Sequence, residues 1–93
     1  MKNPILENAE MLQKKNPTTF SRPEPYLLLA IQPGWFVKVC SGGERFWCLV
    51  LDIDSQNKLT VAVDNELVCA DSHGLKYGDI FRCEMAHIYS VSR

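Results

Sequence analysis

The chain has no long apolar run, no closely spaced cysteine pair and no large excess of charge of either sign, and each absence removes a class of function. Its uncharged apolar stretches, such as Tyr26 to Ile31, fall far short of the roughly twenty residues that cross a bilayer, so a membrane-spanning helix is excluded. The opening MKNPILENAEMLQKK has no continuous apolar core and carries Glu7 and Glu10, which is not the pattern of a secretion signal; a cytoplasmic location is expected. The net charge is only −1, which disfavours a nucleic-acid binder driven by counterion release. Four cysteines (Cys40, Cys48, Cys69, Cys83) are separated by 7, 20 and 13 residues, so no C-x-x-C turn converges two thiolates on a zinc ion. SGGER lacks the lysine and the following helix of a phosphate-binding loop.

What is present suits one small domain. Ninety-three residues, 46% of them hydrophobic and 23% charged, support a single modest core but no elaborate cleft. Charge is weakly divided: five basic residues face three acidic ones up to Gly43, and eight acidic face five basic thereafter. The acidic half would suit a basic partner better than DNA, although an ordinary solvated surface explains it equally.

The densest signal is GERFWCLVLDID, Gly43 to Asp54. One alternating set holds Trp47, Leu49, Leu51 and Ile53, the other Phe46, Cys48 and Val50, so a strand here is apolar on both faces and needs a cover on each. Asn3-Pro4 offers a cap and first turn for an amphipathic helix over residues 4–15, with Ile5, Leu6, Ala9 and Leu12 on one side. A helix that short needs a docking surface, and the second face of the Phe46 strand is the expected one. Pro17, Pro23 and Pro25 impose an extended connector, and residues 26–34 read as a helical turn ending in Pro33-Gly34.

Strands are expected over residues 35–40, 45–54, 58–64, 67–70 and 79–85, with a short last piece over 87–91, separated by Ser41-Gly42-Gly43, Ser55-Gln56-Asn57, Asn65-Glu66 and DSHGLKYG. Short turns imply an antiparallel meander. The expected fold is therefore mainly β (α+β): a small SH3-like antiparallel barrel of about five strands over residues 34–93, with residues 1–33 supplying an N-terminal amphipathic helix and connector packed on it.

Thr19-Phe20, Pro33-Gly34, Val37-Lys38, GERFW, VDN at Val63 to Asn65, GLKYGD at Gly74 to Asp79 and His87-Ile88 occur in order along the chain. Together they resemble a bacterial family of small domains of unknown function grouped loosely with immunity proteins of polymorphic toxin systems. The resemblance spans residues 18–91. It implies a compact, mostly β domain that binds something, and no catalytic residues. The sequence departs from that pattern at Asp71-Ser72-His73 and at the Ser-Gly-Gly tip before Glu44.

Each chemical constellation has a structural alternative. A cysteine, His87 and Asp79 could form a nucleophilic group, but cysteines inside apolar strands lack the accessible thiolate that catalysis needs and read as buried free thiols. Asp64-Asn65-Glu66 with Asp52 and Asp54 has too few converging oxygens and no glycine for calcium, and reads as a hairpin turn. Trp35, Phe36, Phe46, Trp47, Tyr77, Phe81 and Tyr89 could make a stacking platform, but few basic residues interleave with them and a domain this small needs most of the rings as core. Trp47 in particular is expected inside, where truncation to alanine costs about 3–5 kcal/mol.

The reading is a non-enzymatic protein-interaction module without cofactor or metal, immunity- or inhibitor-like and carried by a bacterial or mobile-element system. Trp35, Arg45, His73, Lys76 and Tyr77 are its partner-binding candidates, with a homodimer also open. The alternative is a small ligand-binding or nucleic-acid-binding barrel using a pocket between the N-terminal helix and the sheet.

Overall fold

A computed structural model describes every residue from Met1 to Arg93. Five strands, β1 (Phe36–Ser41), β2 (Glu44–Ile53), β3 (Leu59–Val63), β4 (Ile80–Cys83) and β5 (Ser90–Ser92), form one antiparallel sheet in the order β4-β3-β2-β1-β5. Three short helices accompany it: α1 (Ala9–Lys15), α2 (Pro25–Leu29) and α3 (Ala70–His73); a 3-10 turn, Met85–His87, delivers the chain to β5. The fold is thus α+β, and β4 and β5 do not pair, so the sheet is open.

The β1–β2 hairpin turns on Gly42 and Gly43, whose φ angles of 57° and 83° are the pair of positive values a two-residue type I′ turn requires. From there register sorts the side chains. Val37 and Val39 stand beside Cys48 and Phe46, and Cys48 and Val50 beside Val63 and Val61. With Phe81 and Cys83 of β4 they form the core, closed by Leu28, Ile31, Leu75 and Ile88 from the connecting segments. Val61, Phe81 and Ile88 are fully buried.

The register shifts between Val50 and Asp52. The extra residue, Leu51, turns outward, and the strand resumes with its faces exchanged, so Ile53 packs against the core instead of lying with Trp47 and Leu49 as strict alternation expects. Trp47 is likewise not core. It stands half-buried on the outer face opposite Lys38, whose ammonium lies 5.0 Å from the ring centroid.

The N-terminal region also differs from expectation. Helix α1 begins at Ala9, where the Asn8 side chain accepts the Met11 N–H at 2.9 Å, and not at Pro4. Residues before it are taken by tertiary pairing: Lys2 N–H donates to the Ile80 carbonyl (2.8 Å), Glu7 N–H to the Cys40 carbonyl (2.9 Å), and the Ser41 hydroxyl to the Ile5 carbonyl (2.7 Å). Residues 2–7 therefore form a strap from β4 to the end of β1, across the open side of the sheet. Helix α1 docks beside β1, not over β2: Ala9, Cys40 and Tyr89 make a second small core with Leu12 and Phe20. The proline-rich connector is held by Arg22, which donates to the carbonyls of Met85 (2.6 Å) and Ile88 (3.0 Å).

No strand forms over residues 67–70. The main-chain donors of Val68 and Cys69 are spent on the Glu44 carboxylate, at 3.0 and 2.8 Å, which leaves none for a neighbouring strand. The chain turns into α3 instead.

Candidate functional site

Helix α1, Phe20 and Tyr89 cover only the Cys40–Arg45 end of the sheet's outer face, and the rest of that face has no helix over it. Phe36 is in register with Leu49, Leu49 with Ala62, and Ala62 with Ile80, so four apolar side chains form a row across β1, β2, β3 and β4. Ile80 is 40% exposed and bulged Leu51 beside the row 41%. Lys38, Arg45 and Arg82 stand on the same face, with Asp52 near the row; cross-strand neighbours of this kind form a continuous surface.

The candidates from the sequence are dispersed around this face. Trp35 is half-buried at the start of β1 beneath the Arg93 guanidinium, 5.1 Å from its ring. Arg45 lies at the other end of the β1–β2 ladder, against Tyr89 (4.6 Å) and Phe20 (5.8 Å), where it clamps the connector to the sheet. Lys76 and Tyr77 are exposed at the tip before β4; Lys76 pairs with Asp79 at 3.2 Å, and the Tyr77 hydroxyl donates to Asp64 at 3.2 Å. Asp64 in turn gives its N–H to the Trp47 carbonyl, which ties the tip to β2.

His73 is inside. Its side chain has no exposed surface, its Nδ1 accepts the Leu75 N–H at 3.0 Å, and Nε2 therefore carries the proton it donates to Glu44 at 2.9 Å. With both ring nitrogens engaged it offers a partner nothing as it stands and acts as a pin: Glu44 gathers His73, Val68 and Cys69. The His73 hydrogen bond, followed by that from Val68, holds the Glu44 carboxyl below its usual range.

Three of the four thiols are held in the protonated form. All four cysteines are free. Burial, helped by the hydrogen bond to Glu7, pushes Cys40 up to about 11, and burial pushes Cys83 up to about 12 and Cys48 higher still, so these three are neutral thiols near pH 7. No group of three or more His, Cys, Asp or Glu side chains is placed to hold a metal ion.

Three shallow clefts flank the strap. The one of interest, about 290 Å³, lies between residues 3–6 and the end of β4 and is walled by Leu6, Lys58, Arg82, Cys83, Glu84 and His87. His87 accepts the Glu84 N–H on Nδ1 at 3.0 Å, which leaves Nε2 as its protonated nitrogen, and burial lowers its pKa, keeping the ring neutral at pH 7. The sequence did not point to the apolar row, although Leu49 and Leu51 were visible in one alternating set; the missing information was that nothing in the chain would cover them. No helix is long and apolar enough to cross a membrane. Compared with family models, curated proteins and solved structures, the chain matches none of them.

Proposed function

We propose that this protein is a non-enzymatic module that binds another protein, of the immunity or inhibitor kind, through the outer face of its sheet and the adjoining β4 edge. The observation that carries the reading is the apolar row Phe36-Leu49-Ala62-Ile80, its first three members half-buried and Ile80 exposed, flanked by half-buried Trp47 and exposed Leu51 and rimmed by Lys38, Arg82 and Asp52. An apolar centre with an aromatic ring and a polar rim is the anatomy of a protein contact, and leaving it open to water is unfavourable for a domain this small. The neutral thiols and the fully engaged His73 argue in the same direction, since neither provides an activated nucleophile or a free base. Four free cysteines fit a reducing compartment such as the cytoplasm.

The strand order, with a 3-10 turn leading β5 back to β1, supports reading the sheet as an SH3-like barrel whose open side is spanned by the strap. The resemblance of the GERFW, VDN and GLKYGD motifs to immunity-associated domains agrees with this assignment. A small-ligand reading is favoured by one feature only, the cleft beside the strap.

The test is affinity capture from the native host with three baits: the wild-type protein, Leu51→Asp and Ile80→Asp. Both substitutions fall on exposed positions and leave the core intact. A stoichiometric partner held by the wild type and lost by both variants is expected. No partner with the wild type would refute the module, and equal capture by all three would move the contact off this face.

A further inference from the structure

The apolar row ends at β4, and β4 ends the sheet. Ladder bonds alternate along an antiparallel pair, so a strand's residues turn their main-chain groups to one neighbour and then the other. Val63 N–H donates to the Asp79 carbonyl, and the same alternation turns Phe81 and Cys83 toward β3. Ile80 and Arg82 therefore present N–H and C=O to the outside. Of these four groups only the Ile80 carbonyl has a main-chain partner, the Lys2 N–H at the start of the strap.

Beyond that bond the strap leaves β4 for β1, and the cleft beside Arg82 opens between them. Open strand edges of this kind pair readily with added strands, and proteins usually blunt them. Here the blunting is one bond.

We propose, resting on the protein-binding reading, that β4 takes an extended segment of the partner as an added antiparallel strand, and that this segment carries an acidic side chain opposite Arg82 and an apolar one opposite Ile80. Residues directly opposite across a ladder share a face. A side chain opposite Ile80 would extend the apolar row by one strand, while the one opposite Arg82 would meet a guanidinium that Asp54 only partly occupies, at 2.5 Å through a single nitrogen. Lys58, at the same cleft, makes no ion pair at all. The cleft's one carboxylate, Glu84, is already engaged in capping the 3-10 turn. An unpaired Lys58 and an Arg82 with nitrogens to spare, against Asp54 and Glu84 that are both already engaged, make the edge complementary to an acidic strand, and the incoming chain displaces a single main-chain bond, that of Lys2. This is strand addition, in which main-chain bonds supply affinity and alternate side chains supply selectivity.

The probe is a short synthetic peptide of alternating valine and glutamate, and the readout is amide hydrogen exchange at Ile80 and Arg82 in the full chain. Saturating peptide is expected to slow both amides roughly tenfold or more. A valine-lysine peptide and an N-methylated valine-glutamate peptide should leave them unchanged, and Lys58→Glu with Arg82→Glu should reverse the preference between the two charged peptides. Unchanged exchange with the valine-glutamate peptide overturns the proposal. So does protection that grows with protein concentration in the absence of peptide, which would assign the edge to a second copy of this chain. In the complex with a partner captured from the host, unprotected Arg82 overturns the edge assignment and leaves the module standing; peptide protection without any captured partner leaves the edge standing and overturns the module.

Discussion

Phe46 and Trp47 are neighbours in sequence and opposites in structure. Phe46 is 1% exposed and meets Phe81 edge-on at 6.4 Å. Trp47, the larger ring, stays half in water under Lys38. Size and hydrophobicity do not decide between them. What decides is which part of β2 the remaining chain is able to cover: the inner face receives β4, Leu28, Leu75 and Ile88, whereas α1, the one amphipathic helix of the N-terminal region, packs on Cys40 and Tyr89 at one end of the outer face and not on Trp47. One face of the sheet carries the main core, and the other keeps its apolar side chains partly in water.

The sharpest way to break this comparison is to truncate both rings. Phe46→Ala should cost about 3–5 kcal/mol, most of the stability of a domain this size, measured by urea unfolding. Trp47→Ala should cost only about 1–2 kcal/mol. Equal losses would mean that Trp47 is core and that the outer face is covered after all.

Gly42→Ala should cost about 1–2 kcal/mol or more, because the residue holds a positive φ and its added Cβ would lie 2.7 Å from the Ser72 Cβ and 3.0 Å from the Ser72 main chain. A wild-type midpoint for this variant would contradict the packing of the hairpin against α3.

Acid should act in two stages. Burial depresses His87, so its contribution is complete above its unfolded value of 6.5 and is lost as pH falls through the lower folded value. Glu44, also depressed, contributes fully above 4.5 and loses its contribution as pH falls through its folded value. The urea midpoint should therefore be flat from pH 6.5 up to the range where the thiols of the unfolded chain ionise, fall above that range because Cys40, Cys48 and Cys83 are held protonated in the fold, decline below pH 6.5, and decline again in the carboxylate range. His87→Gln should remove the first decline and keep the second.

Smallest of all, Leu51→Thr should change stability by less than about 0.5 kcal/mol, since Leu51 belongs to the bulge and faces water. A large loss would mean the outer face is structural.

Much of the sheet was legible because alternation is a local signal. β3 and β4 lie within the expected spans and β1 and β2 each overrun theirs by one residue, because the turn is made by Gly42 and Gly43 alone, where glycine tolerates the positive φ at low cost, while Ser41 closes β1. The failures share a cause. Leu67–Ala70 is apolar enough for a strand, but its donors belong to Glu44, more than twenty residues earlier. Asn3-Pro4 is a sound local helix start, but the segment gains more from pairing with Ile80 and Cys40. Ile53 changes face because of a one-residue bulge that leaves no mark in the hydrophobic pattern. Of the candidate site, the exposed tip Lys76-Tyr77 was readable from its glycines, whereas the apolar row was not, since exposure depends on where α1 goes.

The strap also bears on the order of events in folding. Lys2 finds Ile80, and Glu7 finds Cys40, so a segment of six residues closes one very wide loop and one of moderate width with few bonds to repay them. Such contacts are costly to make early, because the β1–β4 meander must exist before either end of the strap has anything to hold. The segment should be the last part of the molecule to settle and the first to lift, and for as long as it is away the carbonyls of Ile80 on β4 and Cys40 at the end of β1 both lack their main-chain partners.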